Sequence, residues 1–203
     1  MKTILVTTGA TVTFKSLLDY VVSEKFIGYL LEKQPVKLIV QYGNETDSNS
    51  NNVSKEYFNQ GLKAIIESLD LSVSNEFNDK STTAFKSSKY QLELEVFGFS
   101  HNISSYIEES DLVISHAGTG SIIDVLQLKK PLVVVVNDSL MHNHQLQVAQ
   151  KLSDQNCLLM CEASQLNTDV LTQLCEKVFN HHQFTDLKKP DGKVVEGIIA
   201  SCF

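Results

Sequence analysis

The chain has 203 residues, of which 42% are hydrophobic and 20% are charged, the ordinary composition of a single globular domain. Its formal net charge of −7 argues against a nucleic-acid surface, because such a surface needs a stripe of basic residues. No stretch approaches the ~20 apolar residues of a membrane-spanning helix, and no signal peptide follows Met1.

The first part of the chain predicts a β–α–β unit. An apolar run at 2–7 predicts a strand, and apolar residues at spacings of three and four then predict a helix over 14–33. Pro35 ends that helix, and residues 36–41 form the next predicted strand. Units of this kind imply a parallel sheet with right-handed crossovers.

The segment 44–90 is less regular, and we treat it as a loop or insertion. It begins with a polar stretch of low complexity at 44–52, and a helix is predicted over 55–69. Residues 74–90 are rich in Ser, Asn, Lys and Thr, so no regular element is predicted there.

From residue 91 onwards, predicted strands and helices alternate regularly again. The strand predicted to start there has one solvent-exposed face, because glutamates alternate with its apolar residues. The whole pattern predicts a single doubly wound, Rossmann-like α/β domain with about five or six strands. The later predicted elements are a helix at 102–109, a strand at 111–115, a helix ending at 128, a strand at 131–136, a helix ending near 153, a weak strand at 157–161, and helices at 164–180 and 191–203.

Three loops of unusual composition each follow a predicted strand: 8–13, 115–121 and 137–145. In doubly wound sheets ligands bind beyond the carboxyl ends of the strands, so these loops are candidate binding elements. The small residues from Thr8 to Thr11 let a ligand approach the backbone, and the helix that follows suits a pyrophosphate. The loop matches neither G-x-G-x-x-G nor a P-loop, and a tight strand–helix turn is the alternative interpretation.

The second loop can form a neutral cradle for phosphate oxygens. Gly118 and Gly120 can expose backbone N–H groups, while Thr119 and Ser121 add hydroxyl donors. Helix capping is the alternative, since Ser121 and Asp124 match the S-x-x-D/E capping pattern. Capping leaves the two glycines unexplained, and the Asp124 carboxylate can also accept hydrogen bonds from a ribose.

The third loop places Asn143, His144 and Gln145 at the start of a helix, where their side chains can bind sugar hydroxyls. No carboxylate or cysteine stands at ligand spacing beside His144, so no metal is predicted. The adjacent acids Glu108 and Glu109 have no visible partner and are predicted to be solvated. The four cysteines show no framework spacing and are predicted to be reduced thiols in the core.

The stretches "ISHAGTGSIIDVL" and "NDSLMHNHQ", each following a predicted strand, resemble a known family. They are similar to the cytosolic subunits of the eukaryotic UDP-N-acetylglucosamine transferase that makes dolichyl-diphosphate chitobiose. Those subunits are similar in turn to the C-terminal, donor-binding half of the bacterial lipid II-forming transferase, which has the GT-B fold of glycosyltransferase family 28. The resemblance covers nearly the whole chain, is most specific over 111–145 and matches little over 44–90.

The resemblance implies a role for each loop, and it implies that the enzyme needs neither metal nor cofactor. The bacterial relatives have glutamate where this chain has Asp124. His116 is a candidate catalytic residue, with the main base expected from another subunit. The implied ligands are Thr8, Gly9, Ala10, Thr11, Gly118, Thr119, Gly120 and Ser121 for the diphosphate, Phe99, Ser100 and Asp124 for the uridine, and Asn143, His144 and Gln145 for the sugar.

A GT-B enzyme has two Rossmann-like halves, and this chain matches one, so the resemblance implies a heterodimer with a membrane-anchored, acceptor-binding subunit. The pair would transfer GlcNAc with inversion from UDP-GlcNAc to dolichyl-diphosphate-GlcNAc, the second step of lipid-linked oligosaccharide synthesis for N-glycosylation. The partner would hold this cytoplasmic chain on the cytosolic face of the endoplasmic reticulum. The predicted helix at 191–203 is the candidate docking element, and packing on its own sheet is the alternative.

Two other functions compete with this one. A non-enzymatic nucleotide-sugar binding or regulatory module would bind UDP-sugar and transfer nothing. A self-sufficient epimerase or hydrolase would need a second domain or a homodimer cleft. An NAD-dependent enzyme is the least favoured, because no acid follows a G-x-G-x-x-G turn at about 20 residues.

Overall fold

A computed structural model of the protein describes residues 1–74, 82–137 and 144–187, with the side chain of 144 excluded. These residues form one sheet of eight strands. The strands are β1 Lys2–Thr7, β2 Val36–Gln41, β3 Leu71–Ser74, β4 Thr83–Ser87, β5 Leu92–Phe97, β6 Leu112–His116, β7 Leu132–Val136 and β8 Leu159–Glu162. The helices are α1 Lys15–Val21, α2 Glu24–Glu32, α3 Val53–Ser68, α4 Ile103–Glu109, α5 Thr119–Gln127, α6 His144–Asp154 and α7 Val170–Phe179, with a 3₁₀ turn at Ala163–Gln165.

The strand order is β3-β4-β5-β2-β1-β6-β7-β8. The six strands from β5 to β8 in this order are parallel, and β3 and β4 extend the sheet as an antiparallel edge. The parallel part has the strand order of dinucleotide-binding domains, with β1 at the centre. The predicted doubly wound, Rossmann-like class is therefore confirmed.

Helices cover both faces of the sheet. One face packs on α1, α2, α3 and α7 through a core that includes Ile4 and Val6. The other face packs on α4, α5 and α6 through a core that includes Leu5 and Ile39. Successive strand residues point to opposite faces, so a strand buried on both faces is continuously apolar, as the sequence of β7 is.

The single helix predicted over 14–33 is in fact two helices. The break comes at Ser23, whose hydroxyl accepts a hydrogen bond from the Phe26 N–H at 3.2 Å and so caps the start of α2. Both helices bury apolar residues at spacings of three and four. The apolar spacing therefore continues across the break and does not reveal it.

The strands β3 and β4 were not predicted: β4 lies within 74–90, where no element was expected, and β3 ends where that segment begins. Each is only four or five residues long and exposes part of one face to solvent. Phe85 is buried in the core on the α1, α2, α3 and α7 side of the sheet and pairs in register with Leu94, and it is the main apolar contribution of β4 to that core. Short edge strands with few apolar positions leave a weak pattern in a sequence.

The prediction that the glutamate-bearing face of β5 is solvent-exposed is wrong at Glu95, which is 3% exposed. Its carboxylate lies 3.0 Å from the ammonium of Lys37 on β2, and Glu109 at the end of α4 lies 2.5 Å from the same ammonium. Glu109 thus has a partner, contrary to the solvated surface expected there. Burial lowers the pKa of Lys37, but the hydrogen bonds to both glutamates outweigh this effect, so the pKa is raised overall.

Several predictions concern residues outside the described ranges. The helix at 191–203 and Cys202 are among them, and partner docking through that helix stays a prediction.

Cys157, Cys161 and Cys175 are free and buried, as expected. No helix within the described ranges combines the length and apolar character needed to cross a bilayer. The same ranges contain no group of three or more His, Cys, Asp or Glu side chains arranged to bind a metal ion.

Candidate donor-binding site

The carboxyl ends of β1 and β6 lie side by side at the centre of the sheet. The winding of the chain reverses here, and ligands of doubly wound folds bind at such a switch point. The Thr7 hydroxyl donates to Oγ of Ser115 at 2.9 Å, and the Ser115 hydroxyl donates to the carbonyl of His116 at 3.0 Å. These buried hydrogen bonds fix the start of the loops after both strands.

The loop between β1 and α1 is also held from the side of β2. Gly9 has a φ of +82°, a left-handed backbone that favours glycine. The Thr8 hydroxyl donates to the Gln41 carbonyl at 2.9 Å, and the Thr13 N–H donates to the Glu45 carboxylate at 2.8 Å. Hydrogen bonds from Thr13 lower the pKa of Glu45, so the carboxylate stays ionised as their acceptor.

The imidazole of His116 lies between the two glycine-containing loops. A Cβ atom at Gly9 would lie 2.8 Å from Nε2 of the ring, and one at Gly118 would lie only 2.3 Å from the same atom. Real Cβ atoms essentially never approach another atom so closely, so both positions require glycine while the ring is in place. The structure thus explains Gly9, His116 and Gly118 as one packing unit.

The cradle predicted after β6 is the N-terminus of α5. Gly118 is the N-cap residue and has no side chain that could cap the helix. The N–H groups of the first three helical residues have no hydrogen-bond partner among the described residues: Thr119, Gly120 and Ser121. Free N–H groups and the helix dipole together favour an anion at such a terminus. The capping interpretation of Ser121 is wrong, because Ser121 is the third residue of the helix and not its cap.

A cavity of about 210 Å³ opens at the switch point and brings together residues from all three predicted loops. A larger cavity of about 600 Å³ lies at the other end of the strands, where Lys2, Pro35 and Pro131 begin them, away from the switch point. The residues that line the smaller cavity are Thr8, Gly9, Ala10, Thr11, Val12, Phe14, His116, Ala117, Asn137 and Gln145.

Phe99, which the resemblance places at the uridine, lies in a neighbouring groove. The residue is 41% exposed, and its ring contacts the ring of His101 edge-on. The groove also contacts Ala10 and Thr11, so it adjoins the 210 Å³ cavity, and residues 44–46 after β2 form its other wall. Phe99 is thus available for stacking beside the cavity.

The other predicted ligands are less closely gathered. Asp124 is exposed on α5, one turn after Gly120. Neither Asp124 nor Ser100 lines the 210 Å³ cavity or the groove that contains Phe99. Asn143 lies outside the described residues, and the side chain of His144 is not described. The assignment of these four residues to uridine or sugar stays a prediction.

Two parts of the site were not predicted as ligands: Asn137, although it belongs to the third candidate loop, and residues 44–46. Asn137 directly follows β7 and lines the cavity, and 44–46 closely follow β2 and line the groove. Both positions were recognisable in principle, because every loop that follows a parallel strand lies at the same edge of the sheet. Residues 44–46 were overlooked because their polar composition is typical of an ordinary surface loop.

His116 is held in its neutral form. Burial lowers its pKa below the ordinary histidine value, and a backbone group of Thr7 offsets only part of this effect. The Nδ1 atom is buried and forms no hydrogen bond of good geometry with a described residue. A neutral ring adds no charge to the cavity, and no lysine among the described residues lines it.

This burial makes folding depend on pH in a defined direction. As pH falls below about 6.5, the unfolded chain binds a proton at this histidine before the folded chain does. The stability contributed by the neutral ring is therefore present above that pH and is lost as pH falls towards the lowered pKa. We expect the free energy of unfolding in urea to fall more between pH 7 and pH 5 in the wild type than in His116→Gln. Identical pH dependence in the two proteins would contradict the assignment.

Comparisons with known proteins agree with this architecture. Residues 73–198 match the glycosyltransferase family 28 C-terminal domain. The UDP-N-acetylglucosamine transferase subunit ALG13 of Debaryomyces hansenii is 40% identical over 98% of this chain and 97% of its own length. The subunit of the same name from Candida albicans is 39% identical over 98% and 73%, and that of Saccharomyces cerevisiae is 38% identical over 79% and 77%.

Two solved structures extend the comparison. The NMR structure of an ALG13 protein is 33% identical, covers 87% of both chains and superposes with a TM-score of 0.60. The crystal structure of Acinetobacter baumannii MurG is 17% identical and has a TM-score of 0.51 over 99% of this chain and 50% of that one, a likeness of fold alone. The predicted resemblance is confirmed: the chain belongs to the ALG13 family of UDP-N-acetylglucosamine transferase subunits, within glycosyltransferase family 28.

Proposed function

We propose that this chain is the donor-binding catalytic subunit of a two-subunit inverting glycosyltransferase. The pair transfers GlcNAc from UDP-GlcNAc to dolichyl-diphosphate-GlcNAc. The observation that carries the proposal is a free helix N-terminus at α5 beside a cavity at the switch point that is lined in part by neutral hydrogen-bonding residues. A nucleotide-diphosphate sugar needs both kinds of site, because its diphosphate is anionic and its sugar is neutral.

The diphosphate lies at the N-terminus of α5. The N–H groups of Thr119, Gly120 and Ser121 donate to its oxygens, and the loop from Thr8 to Thr11 approaches from the other side of His116. This cradle suits an acidic protein, since the helix dipole replaces the lysines that other phosphate sites use. The uridine extends towards Phe99, Ser100 and Asp124.

The sugar occupies the 210 Å³ cavity. Gln145 and Asn137 bring side-chain amides to it, and Thr8 and His116 also line it. Amides can both donate to and accept from sugar hydroxyls. The names of the relatives, UDP-N-acetylglucosamine transferase subunits, support GlcNAc as the sugar.

The reaction is a displacement at C1 of the donor sugar. A hydroxyl of the acceptor sugar attacks C1 from the face opposite the diphosphate, its proton passes to a base, and the C1–O bond to UDP breaks. The negative charge that grows on UDP is held by the N–H groups of α5, which are fixed in place before the reaction begins. The neutral His116 lines the pocket, and the partner subunit supplies the main base and binds the lipid acceptor.

The partner subunit also gives this chain its location. The acceptor is a lipid, and no helix in the described ranges can span a membrane. The proposal therefore includes a membrane-anchored partner that recruits the chain to the cytosolic face of the endoplasmic reticulum. The word "subunit" in the names of the relatives supports a complex of this kind.

The decisive experiment is transfer of labelled GlcNAc from UDP-GlcNAc to dolichyl-diphosphate-GlcNAc. The purified chain is assayed alone and again with membranes of Saccharomyces cerevisiae depleted of their own ALG13 subunit. We expect product only when chain and membranes are combined. Product from the chain alone would refute the two-subunit proposal, and donor binding without product in either assay would favour the regulatory module.

A further inference from the structure

The 210 Å³ cavity has an apolar wall that binding of hydroxyls and phosphates does not explain. Ala10, Val12, Phe14 and Ala117 line it, and each presents only a hydrocarbon side chain. Phe14 and Ala117 are 4% and 1% exposed, so they belong to the body of the domain. Val12 is 52% exposed and lies in the loop before α1, where a ligand can cover it.

A sugar that carries only hydroxyl groups can offer such a wall the C–H groups of its ring but no methyl group. A hydroxyl turned towards hydrocarbon loses its hydrogen bonds to water and gains none in return. A methyl group in the same place removes apolar surface from water, which is favourable. The wall therefore fits a ligand whose neutral, hydrogen-bonding part carries a methyl group beside it.

We propose that this wall receives the acetamido methyl of the donor sugar and that Val12 is a specificity-determining residue, selecting a 2-acetamido sugar over a 2-hydroxy sugar. The inference rests on the proposed function, because it takes the donor sugar to lie in this cavity. The polar lining residues Gln145 and Asn137 bind the remainder of the sugar. Discrimination then comes from one apolar contact and adds to the binding that all UDP-sugars share.

The test replaces Val12 with threonine, which keeps the β-branched shape and exchanges one methyl for a hydroxyl. The KM for UDP-GlcNAc and the inhibition constants of UDP-glucose and UDP are measured in the complex formed with the depleted Saccharomyces cerevisiae membranes. We expect Val12→Thr to reduce the preference for UDP-GlcNAc over UDP-glucose roughly tenfold, the usual effect of one methyl contact in a pocket. The inhibition constants of UDP-glucose and UDP should stay at their wild-type values.

Val73→Thr is the matched control, since Val73 is 60% exposed on β3 at the far edge of the sheet. It should leave all three constants unchanged. An unaltered preference in Val12→Thr, or a wild type that does not distinguish the two donors, would overturn the inference and leave the transferase function standing. Failure of the wild-type complex to transfer GlcNAc at all would refute the proposed function itself.

Discussion

Replacing Gly118 with alanine is expected to lower kcat/KM for UDP-GlcNAc about 100-fold, as losing one preorganised donor does. The new Cβ would lie 2.3 Å from Nε2 of His116, closer than real Cβ atoms approach another atom. The ring must therefore shift, and it then displaces the loops that hold the diphosphate and line the cavity. Overpacking of this kind also costs about 1–3 kcal/mol of folding stability.

A second variant separates the clash from other effects of the substitution. In His116→Ala/Gly118→Ala the obstacle is gone, so the alanine at 118 should cost far less stability than it does beside the wild-type ring. Gly28→Ala is the control, because a Cβ at Gly28 in α2 meets nothing within 4 Å. Urea unfolding of each protein gives the comparison. Equal costs at 118 in both backgrounds would show that the ring is not the obstacle.

Most of the parallel sheet was predictable from the sequence because its strands are buried on both faces. Such strands are continuous apolar runs, and β2, β6 and β7 lie within one residue of their predicted positions. The three candidate loops were predictable for a related reason: they follow the buried strands β1, β6 and β7. Parallel order brings their ends to one edge of the sheet whatever the sequence distance between them.

What the sequence did not reveal depends on contacts between distant residues. The pairing of Lys37 with Glu95 and Glu109 joins three elements, and each residue alone resembles a surface charge. The same holds for Gly9 and Gly118, which were singled out as ligand-binding glycines. A Cβ at either position would clash with His116, so packing requires glycine there whether or not a ligand binds.

Replacing Asp124 with alanine is expected to lower kcat/KM for UDP-GlcNAc roughly 10- to 100-fold, because a hydrogen bond to a charged group is worth about 1.5–3 kcal/mol. The carboxylate is exposed and has no hydrogen bond or ion pair among the described residues. Folding stability should therefore stay unchanged, and the whole loss should appear in donor binding and transfer. Asp124→Glu, which keeps the carboxylate, should retain most of the activity.

The ligand itself supplies the sharpest control for this prediction. UDP that lacks the ribose hydroxyls should inhibit the wild type more weakly than UDP does, and Asp124→Ala should remove that difference, because the carboxylate and the hydroxyls act as a pair. Glu108→Ala removes another exposed acid, on α4, and should change neither inhibition constant. If Asp124→Ala still distinguishes the two nucleotides as the wild type does, the ribose contacts another group, and Asp124 has no part in donor binding.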